Sequence, residues 1–457
     1  MQADTELAAR LACPRCDRSP LDRTADGWRC GSCRIDFPVL DGMPCLYSAP
    51  GAALGEWRGR LHAELRRLQQ DAKLLDAALA KGALAPLTKR RLELRRDAAR
   101  IHHDELRDLL APLLAGHPAA GAETYLALRT RPPTDQGLTT YYPNVHRDWS
   151  WGEEENRRSV ELVSEAYAAR ERPQHMLVLG CGAGRLARDL HEHFGCRSTV
   201  AMDFNPLLML IAARMFRGEA LTLHEFPIAP KSMADQAVAR KLEAPPAAAG
   251  LIPLLGDALR PPFAAGSFDT VVTPWVIDIL PDQPAHTAAR INRLLTPTGR
   301  WISFGSLNFS HADPTLCLSL EETLAMIEEA GFAAPDVVEA EIPYMCSPAS
   351  RHGRREQVVT FCADRVGEVP QPERHSALPD WIVTGKQPVP VLPHFQLQTL
   401  SSRVHLFIMS LIDGKRTLED MAQLMEAQQL MTRAEAEPAI RTFLERLYED
   451  SQREKRF

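Results

Sequence analysis

The run Leu177-Val178-Leu179-Gly180-Cys181-Gly182-Ala183-Gly184-Arg185 reads as a buried strand that turns through glycines into a helix. Glycine lets the backbone approach a ligand where a Cβ would clash. Asp203 ends a second apolar run, Ser198-Thr199-Val200-Ala201-Met202. A carboxylate at the tip of the next strand can accept both hydroxyls of a ribose. A second chemical set lies near the start of the chain. Cys13-Pro14-Arg15-Cys16 and Cys30-Gly31-Ser32-Cys33 are two CxxC turns separated by thirteen residues. Such turns place four thiolates around one tetrahedral ion, and a closed four-sulfur shell is a structural rather than a catalytic site. Four sulfurs suit zinc.

Three later segments continue the first pattern. Leu254-Leu255-Gly256-Asp257-Ala258 reads as a third strand end carrying its own carboxylate. Phe268-Asp269-Thr270-Val271-Val272-Thr273-Pro274-Trp275 reads as a fourth strand, and Leu295-Thr296-Pro297-Thr298-Gly299-Arg300-Trp301 as the turn before a fifth. In this order they resemble class I S-adenosylmethionine (SAM) methyltransferases rather than a dinucleotide fold. Thr298 stands where such enzymes usually write a glycine. The resemblance implies a Rossmann-like, doubly wound α/β sheet with SAM as cofactor. Gly180, Gly182, Gly184 and Arg185 would form its loop, Asp203 would hold the ribose and Asp257 would face the adenine amine. Thr273 and Arg147 complete the expected cofactor set, Arg147 offering a fork of donors to the methionyl carboxylate. The other reading of Arg147 is an ion pair with Asp148 or Glu153.

A narrower resemblance covers residues 140–362. His146-Arg147-Asp148-Trp149-Ser150 is similar to the R-D-W-S signature of the carnosine N-methyltransferase-like family. Trp275-Val276-Ile277-Asp278-Ile279-Leu280 stands where that family writes F-F-I-D-T-A. Trp301-Ile302-Ser303-Phe304-Gly305-Ser306-Leu307-Asn308 stands in place of W-I-N-x-G-P-L-L, and Leu318-Ser319-Leu320-Glu321-Glu322 resembles its E-L-S-x-E-E helix start. This resemblance implies a histidine imidazole as methyl acceptor, with Asp278 in contact with the ring. The ordinary imidazole pKa is about 6.5, so a free nitrogen lone pair is available at neutral pH. Asp278 would accept one ring N–H and leave the other nitrogen aimed at the sulfonium methyl. A helix N-cap after the fourth strand is its alternative role. Tyr141, Tyr142 and Trp149 would line the pocket, or belong to the core. The chain departs from the family at Asn308-Phe309-Ser310-His311, where a Tyr-His pair is usual. His311 is then the shifted equivalent of that histidine or a loop residue. Tyr344, in Glu341-Ile342-Pro343-Tyr344, matches the family's later substrate-contacting tyrosine. Rival readings are another small-molecule or peptide side-chain acceptor, and a SAM-binding scaffold without turnover.

The elements around this core separate by composition into residues 1–50, 51–139, 140–368 and 378–457. In the first, Phe37-Pro38-Val39-Leu40-Asp41-Gly42-Met43-Pro44 follows the cysteines and makes the segment resemble a Trm112-type zinc ribbon. Such a domain supports or activates a methyltransferase. Cys45 lies outside the ligand set and reads as a buried spectator. Leu61, Leu65, Leu68, Ala72, Leu75 and Leu79 form one apolar seam at helical spacing. Lys81-Gly82 stops that helix, and a second runs from about Pro86 to Leu114, giving a helical hairpin. Lys89-Arg90-Arg91 and Arg95-Arg96 read as a solvated helix face, an RNA contact being the alternative. Near the end, Gly414 closes one helix, and Thr417 caps another with Asp420 three residues on. Residues 406–422 resemble PqqD-like modules, winged-helix units that take up a peptide as an extra strand. A packing or homodimerisation appendage is the plainer reading.

The totals narrow the classes. The 457 residues carry a formal net charge of −6, which gives no support to bulk nucleic-acid binding. No run approaches the roughly 18 apolar residues of a membrane span. The start Met1-Gln2-Ala3-Asp4-Thr5-Glu6 lacks a signal-peptide layout. The ten cysteines, spread over so long a chain, do not make a secreted disulfide scaffold, and a cytoplasmic protein is expected.

Overall fold

The computed structural model describes residues 2–82, 84–115, 129–131, 136–168, 170–311 and 313–453. It divides into two compact units between Pro379 and Asp380. The three N-terminal segments read separately from composition thus belong to one unit.

That unit is organised by a seven-stranded sheet. Its strands are β5 (His175–Leu179), β6 (Ser198–Asp203), β9 (Leu251–Leu255), β10 (Phe268–Pro274), β11 (Leu295–Gly305), β12 (Asp336–Tyr344) and β13 (Arg354–Asp364). Their order is β12-β13-β11-β10-β5-β6-β9. All neighbours are parallel except at β13, which runs antiparallel to both β11 and β12. The chain proceeds from β5 outward through β6 to β9, then returns to place β10 on the other side of β5. In an open α/β sheet that reversal opens a crevice at the carboxyl ends of the strands.

The central strands β5, β6 and β10 are buried on both faces, so their side chains alternate between two cores. Met176, Val178, Ala201 and Val272 join one cluster; Leu177, Leu179, Val200 and Val271 join the other. The first cluster includes the helical hairpin, α2 (Pro50–Ala80) and α3 (Pro86–Leu109). Leu61, Leu65, Leu68 and Ala72 are buried along the expected seam. α3 stops at Leu109 rather than at Leu114, and a short helix α4 (Ala111–Leu114) follows. Pro112 has no N–H with which to continue the ladder.

The second cluster takes in Leu21, Trp28, Phe37 and Leu46 from the cysteine-bearing segment. That segment is a small antiparallel sheet, β1 (Asp22–Arg23), β2 (Gly27–Arg29), β3 (Asp36–Leu40) and β4 (Met43–Pro44). It continues directly onto the large sheet: Cys45 bridges Leu255 in parallel, and the Leu46 N–H donates to the Leu255 carbonyl at 2.7 Å. The outer edge of β9, which would otherwise present unpaired backbone groups, is covered there by the chain's own N-terminus. Cys45 is fully buried, as expected of a spectator.

The second unit contains α11 (Asp380–Thr384), α12 (Pro393–Leu411), α13 (Leu418–Ala427) and α14 (Arg433–Arg453). Thr417 and Asp420 form the expected capping box, and Gly414 is left-handed. Ile408, Met421, Met425 and Ile440 form its core. Among the described residues of this unit there is no strand. Those residues thus show no wing, and no edge to which a peptide would add, for the expected winged helix. Among the described residues, no helix is long and apolar enough to cross a membrane.

Trp57 of α2 is fully buried, its ring 5.8 Å from that of Phe204 beside the β6 tip. Trp57→Ala should cost about 3–5 kcal/mol in urea unfolding, the usual loss for an enclosed aromatic. A loss below about 1 kcal/mol would mean that the hairpin and the sheet do not share a core.

Candidate functional site: the crevice at the strand ends

Between β5 and α7 (Arg185–Phe194) the loop is left-handed at Gly180, Gly182 and Gly184, with φ of +70°, +58° and +88°. A Cβ on Gly180 would lie 2.2 Å from Val276 Cγ2, and one on Gly184 2.6 Å from the Phe216 ring. These two positions therefore exclude other residues on space as well as on dihedral. The loop reaches across to β6, where Gly180 donates its N–H to the Met202 carbonyl at 2.8 Å.

Asp203 ends β6 and is 8 % exposed. One carboxylate oxygen accepts the Gly182 N–H at 3.0 Å, the other the Asn205 N–H at 2.9 Å. Burial raises its pKa to about 6, those amides opposing the shift. Each oxygen keeps a further lone pair for a hydroxyl donor. Asp257, just beyond β9, accepts the Leu259 N–H at 2.8 Å and is likewise pushed up by burial. Gly180, Gly182, Asp203 and Asp257 all line one cavity of about 430 Å³.

Arg147 and Tyr344 line the same cavity. Arg147 opens a π-helical turn, Arg147–Trp151, a distortion that concentrates at functional sites. Its guanidinium is 2.7 Å from Asp148 and 2.9 Å from Glu155, while Glu155 also accepts the Met345 N–H at 2.9 Å. Burial raises both carboxyls, with Arg147 opposing it. The ion pair with Asp148 offered by the sequence is thus present, and the second partner is Glu155 rather than Glu153. Tyr141 lines the cavity, but Tyr142 and Trp149 do not. Tyr142 Oη donates to the His224 carbonyl, and Trp149 Nε1 donates to the Ala183 carbonyl, steadying the glycine loop from behind.

Five expected residues fall elsewhere. Gly184 is off the cavity lining, its α-carbon facing Phe216 and Ala212. Arg185 is outside the cavity lining because its guanidinium is drawn to Asp189 at 2.7 Å, to Glu153 at 3.2 Å and to the Asp148 carbonyl at 3.0 Å. Thr273 is fully buried beneath the sheet, where its hydroxyl accepts the Trp301 Nε1–H at 2.8 Å. Asp278 and His311 line a second cavity of about 240 Å³ that shares Ile279, Leu280 and Pro281 with the first. Asp278 is 9 % exposed and accepts the Asn308 N–H at 2.8 Å, so it pins the loop after β11. It is not an N-cap, since the next helix, α9 (Pro284–Leu294), begins after Gln283.

Other cavity residues were missed in sequence. Trp275, left-handed at φ +53°, has its ring 4.9 Å from Tyr344 and 5.7 Å from Phe304, making an aromatic wall. Its place immediately after a strand-end proline was the available signal. Tyr47, from the cysteine-bearing segment, donates its hydroxyl to the Phe204 carbonyl. Arg129, Arg131 and His375 come from stretches whose composition gave no hint of a site.

The four cysteines converge. The Sγ atoms of Cys13, Cys16, Cys30 and Cys33 all lie within 4.8 Å of one another, and Cys16 and Cys30 are 3.6 Å apart. A tetrahedron of Zn–S bonds has S···S edges of about 3.8 Å. The Cys33 N–H points at Cys30 Sγ at 3.3 Å, a bond that favours a thiolate. The set is compatible with zinc.

Residues 177–303 match the family model described as a methyltransferase domain. No curated protein matches the chain. The N-methyltransferase NodS from Bradyrhizobium japonicum WM9, solved with S-adenosyl-L-homocysteine (SAH), is 15 % identical over 50 % of this chain and 98 % of that one, with a TM-score of 0.33. Phosphoethanolamine N-methyltransferase 2 from Haemonchus contortus is 14 % identical over 52 % and 61 %, at 0.34. A complex of the Haloferax volcanii Trm112 methyltransferase activator with a methyltransferase is 16 % identical over 50 % and 98 %, also at 0.34. The chain carries a class I methyltransferase domain and is a SAM-dependent methyltransferase.

SAH affinity should be flat above pH 7 and fall up to tenfold per unit below about pH 6, as the free-state Asp203 carboxylate is protonated. Asp203→Asn should abolish that dependence and most of the affinity. Calorimetric titration across pH checks both, and an unchanged profile in the variant would assign the effect to another group.

Proposed function

We propose that the enzyme methylates a nitrogen of a histidine imidazole carried by a dipeptide or a larger peptide. The observation that supports this acceptor is the wall formed by Trp275, Phe304 and Tyr344 in the cofactor cavity. A flat ring packs against such a wall in offset or edge-on geometry. SAM supplies a sulfonium methyl, and the residues for it are Gly180 and Gly182 at the loop, Asp203 at the ribose and Asp257 at the base, with Gly184 turning the chain into the helix. The acceptor nitrogen gives its lone pair to the methyl carbon as the carbon–sulfur bond breaks, and SAH leaves. The proton on the newly methylated ring is lost to solvent or to a neighbouring carboxylate. Orientation of the ring against the wall supplies most of the acceleration.

Asp278 and His311 take a revised part in this reading. A peptide acceptor that crosses the shared partition of Ile279, Leu280 and Pro281 brings its flanking groups to the second cavity, where Asp278 offers a carboxylate to a cationic group. The four cysteines hold a structural zinc ion, which fixes the segment whose Tyr47 and Leu46 reach the cofactor end of the sheet.

Mass spectrometry of products formed from SAM with carnosine and histidine-containing peptides tests the acceptor. A gain of one methyl on imidazole is expected, with Trp275→Ala losing about tenfold or more in kcat/KM. Asp278→Ala should raise KM for peptides more than it lowers kcat. No methylation of any panel member by a chain that binds SAH would remove the imidazole reading. Metal analysis should find one zinc per chain, and its chelation should lower the thermal midpoint by roughly 5 °C or more and weaken SAH binding. An unaltered midpoint would deny the cysteines a structural ion.

A further inference from the structure

The stretch after β13 reads in sequence as a proline-rich link, and the methyltransferase family match ends at residue 303, far short of it. In the structure it is tied to the first unit from several sides. Gln371 Nε2 donates to the Ala289 carbonyl at 3.0 Å, and Arg374 pairs with Asp17 of the cysteine-bearing segment. Arg260 Nη2 donates to the His375 carbonyl at 2.6 Å, and the Ala377 N–H donates to the Arg129 carbonyl at 2.8 Å. Ser376 Oγ donates to the Leu378 carbonyl at 2.7 Å, turning the backbone on itself. His375, Ala377 and Leu378 consequently line the cofactor cavity.

The strand order says which end they cover. Asp203 stands on β6, and β9 is the next strand outward, with Asp257, Leu259 and Arg260 just beyond it. A nucleoside whose ribose is held at Asp203 and whose base extends outward meets Asp257 and Leu259 on the way. His375 and Leu378 belong to the same wall. His375 Nδ1 lies 3.7 Å from Asp282 Oδ1, a carboxylate already paired with Arg290 at 2.5 Å and with His286 at 3.2 Å. Leu378 is a partly buried apolar side chain on the cavity lining. A purine face laid against it would remove that surface from water.

We propose that residues 375–378 form the roof of the base-binding end of the cofactor cavity, with His375 and Leu378 as positioning residues for the adenine ring. The inference rests on the methyltransferase reading of this cavity and adds a segment that lies outside the matched family domain. It makes the link a part of the cofactor site rather than a spacer.

Calorimetry on the full chain with SAH and with adenosine tests it, using Leu378→Asp and His375→Ala. Both variants should bind SAH and adenosine about tenfold more weakly than the wild type, at unchanged thermal midpoint. In the wild type, SAH should slow hydrogen exchange at the amides of residues 375–378. If the wild type binds SAH while both variants bind within twofold of it and exchange at 375–378 does not change, the roof is overturned and the cofactor reading stands. A wild type that binds no SAH overturns the cofactor reading and the roof with it.

Discussion

A carboxylate enclosed at the tip of a buried strand is costly unless donors meet it, and Asp203 is the point around which this unit is arranged. Its two backbone partners fix two different pieces of chain: Gly182 in the left-handed loop and Asn205 at the start of α8 (Pro206–Phe216). Asn205 accepts the Leu207 N–H through its side-chain oxygen and donates its amide to the Leu138 carbonyl, drawing in the segment before the π-turn. Phe204, between them, receives the Tyr47 hydroxyl on its carbonyl and sets its ring at a tilt against Trp57. The N-terminal sheet, the helical hairpin and the connecting segment therefore all meet the methyltransferase sheet at residues 203–205. The pKa of about 6 at Asp203 is the mark of that enclosure, since two amides do not fully offset the loss of water.

The same logic explains why the accessory segments are not loose appendages. The cysteine-bearing sheet covers the open edge of β9 and contributes to both cores, through Trp28 and Phe37 on one face and Leu40 and Met43 on the other, where the hairpin joins it. The carboxyl ends of β6 and β9 are thus supported from outside the family domain. The opposite end of the cavity is organised by a buried ion network instead. Arg147 joins the π-turn to α6 (Glu153–Tyr167), and Glu155 joins α6 to the end of β12, where Tyr344 faces Trp275. Removing one partner would leave the others buried and uncompensated, so the aromatic wall depends on a charge balance that it does not itself contain.

Much of this was legible in the residues. The glycines, Asp203, Asp257 and the cysteine turns are positions where backbone geometry or ligand chemistry dictates the residue type, and the structure brings each group together. The hairpin seam and the Thr417 capping box were legible because helical period and cap chemistry are local. What failed depended on which way a side chain points at a strand end. Thr273 and Pro274 are adjacent, yet only Pro274 reaches the cavity, because alternation sends Thr273 beneath the sheet to Trp301. Asp278 follows a left-handed Trp275 that turns the chain, so its carboxylate emerges in the neighbouring cavity. Arg185 was claimed by Asp189 one helical turn on, a pairing visible in sequence but outweighed there by its place beside the glycines. Tyr47, Arg129 and His375 lie in sequence far from the sheet ends they reach, and no local pattern marks such contacts.

The central claim is that the enclosed Asp203 carboxylate is the anchor of a SAM site. A crystal structure of the full chain with SAH tests it most directly. Both ribose hydroxyls should lie within hydrogen-bond distance of the Asp203 oxygens, with the base toward Asp257 and the sulfur facing the Trp275 and Tyr344 wall. SAH seated elsewhere, or a ribose held by other groups while Asp203 stays turned to its amides alone, would contradict it.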